Sequence, residues 1–580
     1  MNARIDRKQF LKTAIWGGAS TLLVGLPRAS GAIQVSGPPL DVVITGGRIV
    51  DGTGRVPFEA SLAIRDGRIV DIGNVPVSAA RKALDAGGQY VCPGLIDPHT
   101  HEEILMLADP VLEKFVRQGV TTIINGNCGH SVTPYRAKTV LQYWYREALI
   151  SRKRSRMNVD WEGVDGYAAV IKRTGATINS AVLLGYGGIR WGAMHGGFER
   201  PPTADEYKEL ERLVASGLEQ GAVGMSTGLA YRPCYYATTD ELIRISKVLA
   251  KFDKVYASHL RNGPNGALEA VTIGEKAGCR VQISHFRGGS KAALDLVTDA
   301  NRRGLNVAAD VIPQSTSHRR ASNRMLEALM VFYPGAFDDT EEQLISLLRD
   351  RKTRAEIMRS VQFFNNNKND VVIVRALTPK HRDKVGKSIA ALAKAAGQDP
   401  DDYYVNLILD DGNPVIFTFD GDNRGATRGS RGGGRGQQDP ADVLPAGYWT
   451  THPRFGPGSD SIPVDVDDPY GWYEHQRRGA FVGYFRQARA NKVPIETAVS
   501  RAAQLPAEHF RLKDRGVLAK DKVADVMVFD PDAYKFPTPA ESDPNDPFPM
   551  ASGVRHVVVN GVPVLVDGTL TGQKPGRVIL

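Results

Sequence analysis

Between residues 90 and 460, eight short apolar runs each end on a polar or reactive side chain, and amphipathic segments fill most of the gaps. The runs end near His99-Thr100-His101, Asn127-Cys128, Gly185-Tyr186, Ser226-Thr227, Ser258-His259, Ser284-His285, Asp310 and Ser459-Asp460. Strands that alternate with helices pair in parallel, and eight such units close into a (β/α)8 barrel of the TIM type, in the α/β class. Such a barrel places its chemistry at the C-terminal strand ends, where these polar residues fall. Two helix starts are legible, because Thr203-Ala204-Asp205-Glu206 and Thr238-Thr239-Asp240-Glu241 both read as capping boxes. The spacing breaks once. Residues 318–450 separate the seventh run from the eighth, with a helical stretch at 340–360 and a Gly/Arg-rich loop from Arg424 to Gly436. A lid, a subdomain and a passive insertion all fit that pattern.

Both ends of the chain read as β-rich. Asp41-Val42-Val43-Ile44 and Ser61-Leu62-Ala63-Ile64 lead to Asp66-Gly67, and Asn560-Gly561 separates Val557-Val558-Val559 from Val562-Pro563-Val564-Leu565-Val566. Both dipeptides are hairpin turns that need positive φ. Small sheets must bury one face, so the two ends are expected to pair into one small β-sandwich domain. The organisation expected is residues 1–32 as a leader, 33–92 and 501–580 as the two parts of the β domain, and 93–500 as the barrel with its insertion. A hydrophobic share of 42% and a charged share of 24% fit a chain that buries a large core and exclude wholesale disorder.

The net charge of +9 is local, with +4 in residues 1–32 and another +4 from Arg424, Arg428, Arg431 and Arg435. A broad nucleic-acid face is not favoured. Residues 1–13 are basic, Ala14 to Leu26 is apolar and broken by glycines, and Ser30-Gly31-Ala32 supplies small residues for cleavage. This is the layout of a secretory signal. The apolar run is shorter than the ~20 residues that span a bilayer, so no stable membrane anchor is expected. Asp6-Arg7-Lys8-Gln9-Phe10-Leu11-Lys12 resembles a twin-arginine signal, with Lys8 in place of the second arginine, and points to the bacterial periplasm.

Asp97-Pro98-His99-Thr100-His101 carries the strongest chemical signal. Residues i and i+2 of a strand share a face, so the two imidazoles converge. Gly126-Asn127-Cys128-Gly129-His130 adds a thiol, a good zinc ligand when ionised. A single cysteine is more often a small buried hydrophobe, and a single strand-end histidine more often a hydrogen-bonded core residue. Only 12 histidines occur, yet His99, His101, His259 and His285 all fall at run ends, which makes coincidence a poor account. Asp460, in Gly458-Ser459-Asp460, puts a carboxylate at the last one. Taken alone, it is equally a turn residue.

These residues resemble the amidohydrolase superfamily, and within it the N-acyl-D-amino-acid deacylases. The matching segments are Pro93 to His101, Gly126-Asn127-Cys128-Gly129, Gly224-Met225-Ser226-Thr227-Gly228-Leu229, Gly458-Ser459-Asp460, Leu505-Pro506-Ala507-Glu508 and Ala524 to Asp530. The resemblance implies a zinc-dependent hydrolase of a linear amide, with a small N-acylated molecule as substrate. It further implies that His259, His285 and Cys128 hold a tight zinc. His99 and His101, with Cys128 as a bridge, form a second, weaker metal position. Asp460 is then the general base and later the acid, and Ser226, Arg287, Arg477 and Arg478 are the substrate contacts.

The chain departs from the family around the substrate. Val311-Ile312-Pro313-Gln314 replaces a tyrosine-proline-tyrosine segment, His285-Phe286-Arg287 replaces His-His-Lys, and His475-Gln476-Arg477-Arg478 stands nearest to His-Pro-Arg. Arg287 with Arg477 or Arg478 can still bind a carboxylate bidentately. Three rival readings remain. A cyclic-amide hydrolase of the hydantoin or dihydropyrimidine kind shares the superfamily, although Cys128 argues against it. Gly224-Met225-Ser226-Thr227-Gly228 matches a serine-hydrolase elbow, with His509 or His556 as partner. The Arg/Gly block resembles disordered RNA binders, without aromatics nearby. Cys92, Cys234 and Cys279 are expected to be buried thiols, though an oxidising compartment permits a disulfide.

Overall fold

The computed structural model describes residues 39–133, 161–230, 233–261, 264–286, 291–313, 322–324, 341–360, 371–376, 378–411, 415–419, 447–462, 472–473, 478–537 and 549–580. The expected leader (1–32), the Arg/Gly-rich loop, Arg287 and Arg477 lie outside them.

Eight parallel strands form the centre: Leu95–Asp97, Val120–Asn125, Asn179–Gly185, Gly224–Gly228, Val255–His259, Arg280–Ile283, Val307–Val311 and Phe455–Pro457. Each pairs with its chain neighbours in order, as the alternation of strands and helices requires. The seam between the first and eighth strands is stitched just beyond their C-terminal ends. The Asp460 N–H donates to the His99 carbonyl at 2.9 Å, the His101 N–H donates to the Ser461 carbonyl at 2.9 Å, and Thr100 bridges Ser461 in parallel. Closure of the barrel and placement of its reactive residues are therefore one event.

The helices between the strands turn an apolar stripe inward. Ala204–Glu219 buries Leu210, Leu213, Val214 and Leu218, and its start is the full reciprocal box of Thr203 and Glu206. Replacing Thr203 with alanine is expected to cost about 1 kcal/mol, read as a lower urea midpoint with unchanged activity. The second expected box is only half formed. Thr238 accepts from the Glu241 N–H, but the Glu241 carboxylate is buried and held by Arg190 and the Tyr186 hydroxyl. Tertiary partners outcompete the local bond there.

The chain ends meet as expected. Leu40–Ile49, Phe58–Arg65, Arg68–Gly73, Ala80–Asp85 and Tyr90–Pro93 join Val526–Phe529, Val554–Val559, Val562–Val566 and Thr569–Leu570 in one nine-stranded sheet. Val91 pairs with Val528, so the two ends touch at the centre of the sheet. Both hairpin turns carry positive φ, at Asp66, Gly67, Asn560 and Gly561. They also pack on each other, since a Cβ at Gly561 would lie 2.5 Å from the Gly67 Cα. The two strand sets are registered by their turns as well as by their ladder.

The insertion has a core of its own. Val371–Ala376, Val415–Phe419, Ser322–Arg324 and Trp472–Tyr473 form a separate four-stranded sheet. Leu348, Ile357, Ile373, Ile389, Val405 and Ile408 are buried together in it. The last strand follows the eighth barrel strand, so this is a subdomain that the chain enters twice. The stretch expected to be helical is Glu341–Arg349 followed by Arg351–Ser360. Among the described residues, no helix is long and apolar enough to cross a membrane.

Candidate metal centre

His99 and His101 lie just past the first barrel strand, Cys128 past the second, His259 at the end of the fifth, His285 past the sixth and Asp460 past the eighth. One donor atom each from His99, Cys128, His285 and Asp460 fall within 4.8 Å of one another, and all four residues are buried. The Cys128 Sγ is the hub, at 3.3 Å from His99 Nε2, 3.6 Å from His285 Nε2 and 3.7 Å from His259 Nδ1. His101 enters through Asp460, whose Oδ1 lies 3.3 Å from His101 Nε2 and 3.4 Å from His99 Nε2. The His259 and His285 rings meet edge to face at 4.3 Å. The six residues His99, His101, Cys128, His259, His285 and Asp460 thus form one cluster, and Cys128 stands between both histidine pairs.

Three of them carry unusual backbone. Cys128, His285 and Asp460 have φ of 56°, 33° and 52°, in the left-handed region that non-glycine residues rarely enter. Such residues persist only where their surroundings hold them, and they concentrate at functional sites. For Cys128 the hold is visible. Gly126 turns the chain with φ 82°, and a Cβ there would lie 2.1 Å from the Leu183 carbonyl. Ser226 Oγ accepts from the Gly129 N–H at 2.9 Å and donates to the Gly126 carbonyl. Asn127 donates to the Ile124 carbonyl at 2.9 Å.

The hydroxyl of Ser226 is therefore engaged on the loop that carries Cys128. Ser226 is fully buried within a strand, not on a strand-to-helix turn. These bonds give Ser226 a part in holding the loop of Cys128. His509 meets Asn306, and His556 meets the Asp85 carbonyl, so neither serves as its base. Arg478 is buried too, with its Nε 3.4 Å from the Pro549 carbonyl.

The electrostatics suit a cation. Burial raises the Cys128 thiol, but the His99 and His285 imidazoles outweigh it and hold the group well below the usual thiol range. Burial opposes protonation of His99, yet Asp310 and Cys128 carry it up to about 10. Burial and nearby His101 push His130 down to about 3. The other thiols behave oppositely, since burial raises Cys92, Cys234 and Cys279, the last two to about 12. All four cysteines are free and buried. A lone ionised thiol among imidazoles, next to three inert ones, is the chemistry of a ligand.

Two supports have partners that a reading of the sequence does not show. Asp310, buried at the end of the seventh strand, reaches His99 Nδ1 at 3.1 Å. Lys114 is buried behind the seam, 2.5 Å from Glu102 and 2.9 Å from Ser461 Oγ. Neither residue stands in a motif. Asp310 is one of the eight run ends, but its partners are not visible there, and a lysine in an amphipathic stretch looks like ordinary surface.

Comparison with known proteins agrees with this geometry. The amidohydrolase family profile matches residues 441–565. An N-acyl-D-glutamate deacylase of Alcaligenes xylosoxydans xylosoxydans is 30% identical, over 93% of this chain and 96% of its own length. A D-aminoacylase of the same organism is 27% identical, over 94% of this chain and 99% of its own. The crystal structure of an N-acyl-D-glutamate deacylase from Bordetella bronchiseptica, complexed with zinc and a phosphonate inhibitor, superposes with a TM-score of 0.68 at 27% identity. That match covers 93% of this chain and 99% of the other. The chain belongs to the N-acyl-D-amino-acid deacylase (D-aminoacylase) family of metal-dependent amidohydrolases.

Proposed function

We propose that the protein is an exported zinc enzyme that hydrolyses the amide of N-acyl-D-amino acids or closely related N-acyl compounds. The observation that carries this reading is the convergence of Cys128 with His99, His259 and His285, beside the carboxylate of Asp460. Imidazole and thiolate donors favour zinc over magnesium or calcium, which prefer oxygen. His259, His285 and Cys128 would hold the tighter ion, and His99 and His101, sharing Cys128, a weaker second one. The basic and apolar segments of residues 1–32 support delivery to the periplasm through a twin-arginine-like signal.

A zinc ion held by these residues would supply Lewis acidity, lowering the pKa of a water towards ~7 and polarising a carbonyl. The chain's own contribution is proton movement and orientation. Asp460 takes the proton of the attacking water at its carboxylate and returns it to the departing nitrogen as the C–N bond breaks. The products are a carboxylic acid and a free amine. His130, neutral by burial, stands beside His101 with ring centres 6.4 Å apart. Arg287 and Arg477 supply the cationic grip for a substrate carboxylate, with Arg replacing Lys after the sixth strand, while the buried Arg478 faces the Pro549 carbonyl instead.

The test is a screen of zinc-loaded protein against paired N-acetyl-D- and N-acetyl-L-amino acids, following release of free amine. Release from the D-series that a chelator abolishes and zinc restores is the expected result. Ring opening of hydantoins or dihydropyrimidines, with every linear N-acyl compound inert, would replace the reading with a cyclic-amide hydrolase.

A further inference from the structure

We infer that Asp310 is a positioning residue that prepares two metal donors at once. It sets the ring of His99 in the one tautomer that can ligate, and it braces the strained backbone of His285. The inference rests on the metal-centre reading above. Asp310 is fully buried at the end of the seventh strand, Val307–Val311. Its Oδ2 accepts from two donors, the His99 Nδ1–H at 3.1 Å and the His285 backbone N–H at 2.7 Å. Its Oδ1 accepts from the Gln282 side-chain amide at 2.8 Å.

Both Asp310 oxygens already accept, Oδ2 from the His285 N–H and Oδ1 from the Gln282 amide, so the ring nitrogen that faces Oδ2 is the one that donates. That leaves Nε2 as the nitrogen facing Cys128 and Asp460, at 3.3 and 3.4 Å, the one whose lone pair a metal would take. Without the acceptor, nothing on that side selects the tautomer, and a buried Nδ1–H loses its partner. The bond to the His285 N–H acts on a different ligand by a different route. With φ at 33°, His285 sits where a side chain is disfavoured. The N–H bond to Asp310 and the Phe286 N–H bond to the Asp310 carbonyl, at 2.7 Å, tie that turn to the seventh strand.

Neighbouring packing is shaped around this carboxylate. A Cβ at Gly458 would lie 2.8 Å from both the Cβ and the Oδ2 of Asp310. Glycine at position 458, two residues before Asp460, is what leaves the carboxylate its room. Asp310 thus touches donors from the first and sixth strands and abuts the approach to the eighth. Its action is on ligand geometry; it contacts no reacting atom.

The experiment measures zinc binding by the metal-free full chain against a chelating indicator, and counts imidazole neighbours of bound zinc by X-ray absorption. Asp310→Ala and Asp310→Leu are expected to weaken zinc roughly 10- to 100-fold and to lower the imidazole count. Asp310→Asn, which keeps an oxygen acceptor, is expected to recover much of the loss, whereas Leu, which fills space without accepting, is not. Gly458→Ala, which crowds the carboxylate but does not remove it, is expected to mimic the alanine variant and serves if the Asp310 variants do not fold. Zinc affinity in Asp310→Ala equal to that of the native chain would overturn the inference, and so would equal affinities for Leu and Asn. Failure of the native chain itself to bind zinc would instead overturn the metal-centre reading.

Discussion

An Asp460→Asn enzyme is expected to keep its metal and to lose turnover by about a thousandfold, the middle of the range for a positioned acid–base group. The carboxylate is buried at 5% exposure, with its Oδ1 within 3.4 Å of two imidazoles. Its backbone is held at φ 52° by the Asp460 N–H bond to the His99 carbonyl, a bond that asparagine keeps. Asparagine also keeps the shape, and it adapts to left-handed backbone as well as aspartate does. What it removes is the capacity to take a proton from water and return it to nitrogen. His99, His259, His285 and Cys128 still surround the centre, so zinc content is expected to hold. The readouts are kcat, KM and metal content on the same preparation. The expected pattern is a collapse of kcat with KM and zinc little changed. If zinc falls in proportion to kcat, Asp460 acts as a ligand and the proton carrier must be sought elsewhere.

That distinction shows where a sequence stops being informative. The eight run ends are legible because a barrel strand is short, buried on both sides and closed by a polar residue at its catalytic end. Leu95–Asp97, Val255–His259 and Arg280–Ile283 all follow that rule. The hairpins at Asp66-Gly67 and Asn560-Gly561 are legible because positive φ restricts the residues a tight turn accepts. Five of the six candidate site residues are legible because histidine and cysteine are scarce in this chain, and Asp460 only because it closes the last run. Second partners are not. Asp310 and His99 are 211 positions apart, and Ser226 reaches back 100 positions to Gly126. No local pattern announces either pairing, since each follows from the order of strands around the barrel. The partners of Ser226 are hidden for the same reason. Its Gly-x-Ser-x-Gly context is real, but the strand buries it, and the loop of Cys128 claims its hydroxyl. The left-handed backbone of Cys128, His285 and Asp460 is hidden because none of the three is a glycine, and only surrounding hydrogen bonds justify it.

The Lys114–Glu102 pair is the largest feature of this hidden kind, and Lys114→Met is expected to destabilise the fold by about 3–5 kcal/mol. Lys114 is 6% exposed and Glu102 fully buried. The ammonium donates to Glu102 Oε1 at 2.5 Å and to Ser461 Oγ at 2.9 Å, and the Ser461 hydroxyl donates to the same carboxylate oxygen at 2.6 Å. The Glu102 N–H in turn donates to Asn125 Oδ1 at 2.8 Å, at the end of the second strand. One ion pair therefore ties the ends of the first, second and eighth strands, next to His101 and Asp460. Burial depresses the Lys114 ammonium, Glu102 opposes that, and nearby Arg478 adds to the cost. A pair placed this way contributes little net stability over an apolar substitute, because desolvation offsets the attraction. Breaking it is another matter, since Lys114→Met leaves the buried Glu102 carboxylate without its cation. The second variant separates the two effects. Lys114→Met with Glu102→Gln removes the stranded charge and is expected to recover most of the lost stability, measured by thermal and denaturant unfolding. Turnover is expected to stay low in that double variant, because Ser461 loses the cation that fixes it one residue from Asp460. Full recovery of both stability and turnover would mean that the pair only fills space behind the seam, and that hydrogen bonds through His101 and Asp460 hold the site unaided.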